Sequence, residues 1–299
     1  MKDQHNNHLF QLLIGTLLIS TSGVLGRFID LPSPVIIWFR CALGAIFIFI
    51  FCAYNKYSIK INSKKDIPTV VLSSLFLGIH WITYFYALKL SNVALGMLSL
   101  FTFPVITALL EPLFLKIKLD SIHIFLGIMV LIGIYILAPE FDLESSHVKG
   151  VIVGVFSALC YALKNLILKR HIGKYNGSVL MLHQILILSV ILLPVLFFMD
   201  TANTVSQFPY ILLLALFTTA IGHSIFIHSL KYFSVSAASI INSIQPIFGI
   251  IMAFFFLKEI PHWNTLIGGS LILATVIIES IRSKQNIKQK DLIKHQNYN

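Results

Sequence analysis

Arg40, Glu111 and Lys164 interrupt stretches of sequence that are otherwise almost continuously apolar. At the depth of a bilayer each such group costs about 2.5 to 3.5 kcal/mol, so it needs a partner, a wet cavity or a route to the interface. Arg40, in Pro34-Val35-Ile36-Ile37-Trp38-Phe39-Arg40, falls about 10 Å into its segment by the helical rise. That is too deep to face lipid, so the guanidinium is a candidate to hold an anionic group of a solute, or to lock helices as an ion pair. Glu111 is the candidate carboxylate for coupling to a proton gradient, with a structural ion pair as the alternative. Lys164 sits beside Asn165 and close in sequence to Lys169, so its stem is expected to carry the ammonium to the interface.

Neutral polar groups form a second set. His80 and Tyr84 are four apart with Trp81 beside His80, which places a polar and aromatic stripe on one helix face. The stripe suits a cavity wall or hydrogen bonding between helices. Asn242 and Gln245, three apart, precede Pro246. Ser22, Tyr161, Asn165 and His223 complete the candidate binding residues. His223 and His228 are five apart and share no face, so they make no metal pair, and Cys41, Cys52 and Cys160 have no ligand spacing. No HExxH, GxSxG or Walker-type loop is present, so hydrolytic metal, serine-nucleophile and direct ATP chemistry lack their parts. No cofactor is expected.

The elements that must position these residues follow from composition. Hydrophobic residues are 57% of the 299, and charged residues only 11%, against about 25% in ordinary soluble domains. Apolar segments run over Leu9–Phe28, Pro34–Tyr54, Pro68–Leu88, Val93–Leu115, Ser121–Ala138, Gly150–Leu168, Ser178–Met199, Pro209–Leu230, Val235–Leu257 and Trp263–Ile281. Runs of this length match helices crossing about 30 Å of hydrocarbon, and barrel strands would alternate instead. The expected fold is all-α, with ten transmembrane helices.

The formal charge of +10 is spread through short loops and lines no face, which argues against nucleic acid. With the N-terminus inside, Lys56, Lys60, Lys64, Lys65, Lys116, Lys118, Lys169, Arg170, Lys174, Lys231 and the basic tail are cytoplasmic. Arg27, Lys89, Lys149 and Lys258 are outside, which fixes the expected orientation by the positive-inside rule.

A shift of 142 residues lays Leu88-Lys89 on Leu230-Lys231, Pro104 on Pro246, Phe114-Leu115-Lys116 on Phe256-Leu257-Lys258, and Gly127 on Gly269. Five helices per half make the second copy inverted, and carriers built this way bind solute near the midplane between halves. Pro104 and Pro246 are expected to bend the two matching helices there. The units are a cytoplasmic N-terminus (1–8), a first repeat (9–138), an acidic extracytoplasmic loop (139–149), a second repeat (150–281) and a basic, disordered cytoplasmic tail (282–299).

The helix-2 arginine motif, the Ala87-Leu88-Lys89 joint with Pro104, Gln245-Pro246 with Phe256-Leu257-Lys258-Glu259, and Gly268-Gly269 together resemble the EamA-type carriers of the drug/metabolite transporter superfamily. The resemblance covers about Leu9 to Ile281. Family members end helices 4 and 9 with Leu-x-Glu; here Glu259 fits, while Ile117 occupies the first-half position. The resemblance implies two inverted five-helix halves around a central cavity and a secondary carrier of small organic solutes in the cytoplasmic membrane. Efflux of an amino acid or related metabolite is the first expectation; a drug, sugar or nucleotide-type substrate is the second. A membrane-embedded enzyme or a scaffold is the remote one. The expected partners are a small-molecule substrate and the lipid bilayer, with a homodimer among the assemblies the sequence allows.

Overall fold

A computed structural model describes residues 2–61, 63–115, 119–137, 142–172, 175–229 and 242–296. Among these residues the secondary structure is helical, with no strand. In chain order the helices are α1 (Lys2–Phe28), α2 (Ser33–Tyr54), α3 (Ile67–Leu90), α4 (Val93–Leu100), α5 (Phe103–Leu115), α6 (Ser121–Leu137), α7 (Ser146–Ile172) and α8 (Gly177–Ile191). There follow α9 (Val195–Phe198), α10 (Thr204–Leu213) with a π-helical continuation (Leu214–Gly222), α11 (His223–Ser229), α12 (Gln245–Leu257) and α13 (Trp263–Gln296).

Seven stretches of the described residues are long and apolar enough to cross a membrane, and Ser121–Leu137, Gln245–Leu257 and Trp263–Glu279 are shorter apolar helices. The outer surface carries Phe49, Ile50, Phe125, Leu131, Phe198, Phe255 and Phe256, all exposed. Such a surface suits lipid, and each helix satisfies its own backbone hydrogen bonds there.

Several boundaries differ from the sequence expectation. The fourth apolar segment is two helices, because α4 ends at Leu100 and α5 starts at Phe103 after a turn at Phe101 and Thr102. Pro104 and Pro246 therefore sit in the first turns of α5 and α12, not at bends inside continuous helices. A proline loses nothing at that place, where its missing N–H would have had no partner. Pro112 is the proline inside α5. The tail expected to be disordered continues α13 as helix through Gln296. Residues 230–241, which include the first part of the ninth segment (235–241), lie outside the described residues, as do Lys116, Ile117, Lys118 and Glu140.

The packing follows the small residues. α3 and α7 form the most extensive helix pair, and α7 also lies against α4. A Cβ on Gly150 of α7 would come within 2.6 Å of Ser91 Cβ and 3.1 Å of the Ala87 carbonyl. Helices thus approach at backbone distance, as small-residue interfaces permit in a bilayer. α6 and α13 cross at Gly133 and Gly268, where a Cβ on Gly268 would lie 2.7 Å from the Gly133 carbonyl. Further contacts join α2 to α8, α4 to α12, α3 to α8, α2 to the π segment, and α1 to both α12 and the π segment.

Candidate functional site

Where these helices converge they leave a cavity of about 100 Å³. α3 supplies the longest stripe of its wall: Leu77, His80, Trp81 and Tyr84. This spacing, i, i+3, i+4, i+7, is one face of a helix. α2 brings Arg40, α1 brings Ile19 and Ser22, and α7 brings Tyr161 and Lys164. The α4–α5 break contributes Leu100, Phe101 and Phe103, while α11 contributes His223, the segment just before α12 Asn242, and the start of α12 Gln245.

Arg40 is 2% exposed. Its guanidinium carbon stands 4.0 Å from the centroid of the Trp81 ring, and its Nε donates to Thr219 Oγ1 at 2.8 Å. Thr219 belongs to the π-helical segment. No ordinary motif in Leu214–Gly222 signals that winding, so sequence reasoning missed Thr219 as the residue that orients Arg40. Single π turns recur at functional sites because they re-aim side chains and carbonyls. Here the Thr218 carbonyl accepts from His223 Nδ1 at 2.6 Å, so the other ring nitrogen of neutral His223 is an acceptor.

His80 is held in the same way. Ser157 Oγ donates to the His80 backbone carbonyl at 2.8 Å and lies 2.8 Å from His80 Nδ1. With its only proton committed to the carbonyl, Ser157 accepts from Nδ1–H, which fixes the tautomer of neutral His80. The His80 ring stacks near Tyr84 at 6.2 Å and Tyr161 at 4.6 Å, and Phe103 meets Tyr161 edge-on at 4.7 Å.

Lys164 does not reach the interface as the sequence suggested. Its ammonium lies 5.6 Å from the Tyr161 ring centroid, donates to Asn165 Oδ1 at 3.2 Å and forms part of the cavity wall. Burial of the stem beside an aromatic face, with an amide oxygen at the head, replaces the expected route to the interface. Asn165 is outside the wall and touches the site through its bonds to Lys164 and to the Tyr161 side chain. Glu111 on α5 is also outside the wall. Gln245 Nε2 donates to Asn242 Oδ1, which ties the two amides together. The remaining candidates, Ser22, Arg40, His80, Trp81, Tyr84, Tyr161 and His223, all line the cavity. Among the described residues no group of three or more His, Cys, Asp and Glu side chains could hold a metal ion.

The sequence matches the EamA-like transporter family twice, over residues 7–138 and again over 148–281. The chain belongs to the EamA-like transporter family. Relatives of this EamA-like protein include the pseudopaline exporter CntI of Pseudomonas aeruginosa strain UCBPP-PA14, 21% identical over 255 residues, which are 85% of this chain and 88% of that one. An uncharacterized transporter of Archaeoglobus fulgidus is 25% identical, covering 89% and 94% of the two chains. The human solute carrier family 35 member G1 is 23% identical, covering 92% and 79%. A crystal structure aligns with a TM-score of 0.66 over 94% of this chain and 98% of the other at 16% identity, which shows the shared fold. The protein is thus a multi-pass membrane transporter of the drug/metabolite type, not an enzyme.

Proposed function

We propose that this protein is a secondary carrier that moves a small carboxylate-bearing metabolite, of the size of an amino acid, out of the cell by alternating access around the central cavity. The observation that carries this reading is the cavity itself: Arg40 and Lys164 in its wall, enclosed by aromatic rings and two helix starts. A volume of about 100 Å³ is well below the roughly 300 to 1,000 Å³ of sites for drug-sized ligands. It favours a compact metabolite over a drug.

The packing supports ten spans in two inverted halves. Counting apolar segments in order, second packs on seventh (α2 on α8), fourth on ninth (α4 on α12) and fifth on tenth (α6 on α13). Third on sixth (α3 on α7) is mirrored by eighth on first (the π segment on α1). Fourth on sixth is likewise mirrored by ninth on first. Exchange of the halves maps these named contacts onto one another, as a pseudo-twofold axis would. Rocking about such an axis exposes a midplane site to each side in turn.

Loop charge supports both termini in the cytoplasm of a cell whose cytoplasmic membrane holds the protein. Under that orientation Arg27, Lys89 and Glu259 close the outer end, with Arg27 Nε 3.4 Å from Glu259 Oε1 and Arg27 Nη1 donating to the Lys89 carbonyl at 2.5 Å. Asp120 and Arg282, paired at 2.6 Å, lie at the inner end. Glu111 is the coupling carboxylate of this proposal, acting from behind the cavity wall.

The test is accumulation of labelled amino acids, dicarboxylates, sugars and nucleosides in cells with and without the protein. Lower retention of a small carboxylate in expressing cells, abolished by an uncoupler and by Glu111→Gln, is the expected result. Equal retention of the whole panel in both cell lines overturns the reading, and flux untouched by the uncoupler overturns the proton coupling.

A further inference from the structure

We propose that the central cavity is a two-point site for a small organic dianion, one carboxylate at Arg40 and the second at Lys164. The inference rests on the carrier reading above and narrows its substrate class. Charge balance is the first argument. Among the described residues neither Arg40 nor Lys164 has a carboxylate within ion-pair distance. The chain has 12 acidic residues, and among the described residues none stands in the cavity wall. The stretch 230–241 contains none either. α5 and α12 start at the cavity, where Phe103 and Gln245 line it, and helix starts add partial positive charge. Among the described residues a cavity of this kind supplies no counter-charge of its own, which a ligand carboxylate would provide.

Placement is the second argument. The Arg40 guanidinium rests on the Trp81 ring, whereas the Lys164 ammonium faces the Tyr161 ring, which packs on His80. His80 and Trp81 are consecutive on α3, about 100° apart around the helix. The two cations therefore meet a ligand at separate points, which suits two carboxylates on a short carbon chain better than a single phosphate group. A zwitterionic amino acid fits poorly, since it leaves one cation unpaired and brings an ammonium to a wall that offers it no carboxylate.

Binding to the purified full-length protein by calorimetry tests this, with succinate, acetate, alanine and inorganic phosphate as probes. Succinate binding at least about tenfold tighter than each of the others is expected, a margin typical of one added charge-assisted contact. Arg40→Gln and Lys164→Gln should each weaken succinate at least about tenfold. Alanine or phosphate binding as tightly as succinate, no succinate binding at millimolar concentration, or succinate affinity unmoved by Lys164→Gln overturns the proposal. Size-exclusion profiles show whether each variant is folded; should Arg40→Gln aggregate, the wild-type probe series and Lys164→Gln decide. Counterflow in proteoliposomes separates the two levels. Exchange of alanine without succinate overturns the dianion site and leaves the carrier, whereas tight succinate binding without counterflow of any probe overturns the carrier.

Discussion

Glu259, in the loop after α12, accepts a hydrogen bond at 2.8 Å from the backbone N–H of Val93, the first residue of α4. A carboxylate from one half of the chain thereby satisfies a helix-start donor in the other, and its second oxygen faces Arg27 at 3.4 Å. Asn92 caps the same helix by accepting from the Leu95 N–H at 2.8 Å. A half-buried helix start is thus held by two side chains, one local and one distant.

Glu259→Ala removes the distant acceptor and the ion pair together. A lost helix-start acceptor costs about 1 to 2 kcal/mol, so the melting temperature in detergent should fall by several degrees. Glu259→Gln keeps an acceptor oxygen for Val93 and loses only the partly exposed pair with Arg27, whose contribution is small. The expected order is wild type, Gln, then Ala; Gln melting as low as Ala would show that charge, not capping, is what Glu259 supplies.

Gly150→Ala should destabilise more than a substitution at a helix glycine with room around it. The added methyl would meet Ser91 Cβ at 2.6 Å and the Ala87 carbonyl at 3.1 Å, both on or beside the backbone of the α3–α4 joint. Overpacking of this kind costs about 1 to 3 kcal/mol. At Gly127 the nearest atom is Leu109 Cδ1 at 3.3 Å, the far end of a flexible side chain. Thermal unfolding of both variants is the check, with Gly127→Ala expected within error of wild type.

Asp120 links the loop before α6 to α13 and lies outside the membrane-spanning helices. The hydrogen bond from Arg282 at 2.6 Å, aided by the Ile122 N–H, holds its carboxyl below the usual carboxylate range. Because the folded value is depressed, whatever stability this group adds is present in full above the ordinary value of 3.8 and is lost as pH falls through and below it. The side chain is exposed, so the effect is small. The difference in melting temperature between wild type and Asp120→Asn should be constant at neutral pH and shrink below about pH 4; a difference that grows on acidification would contradict the sign.

The cavity was legible in the sequence where polar or aromatic side chains broke an apolar run. Arg40, His80, Tyr84 and Asn242 have no reason to be at bilayer depth except to meet each other or a solute, and spacing along a helix placed them on usable faces. Lys164 was misread because a long stem a turn from the interface has two outlets, and sequence spacing alone does not choose between them. Met97, Phe103 and Phe226 also line the cavity, but an apolar wall residue looks like any other core residue. The break before Pro104 was half legible, since proline marks a change of direction while its place at a helix start or in a helix interior depends on the turn preceding it. Thr219 could not be found at all, because π winding moves it onto Arg40 and carries no composition of its own.

Ser157 offers a test of whether the tautomer lock on His80 belongs to transport. Fully buried, it makes two bonds to one residue, at the His80 carbonyl and at Nδ1. Ser157→Ala leaves Nδ1–H without its acceptor in a dry place, which costs about 1 to 3 kcal/mol, and frees the ring to turn out of its packing with Tyr84 and Tyr161. At matched membrane abundance, flux of whichever probe the wild type moves should fall at least about fivefold, the factor that corresponds to about 1 kcal/mol. His80→Ala should cost at least as much, and the double variant should be no worse than His80→Ala alone, because both changes remove the same arrangement. Additive losses would mean that Ser157 acts on transport independently of His80, and unchanged flux in Ser157→Ala would mean that the orientation of His80 does not matter to the carrier.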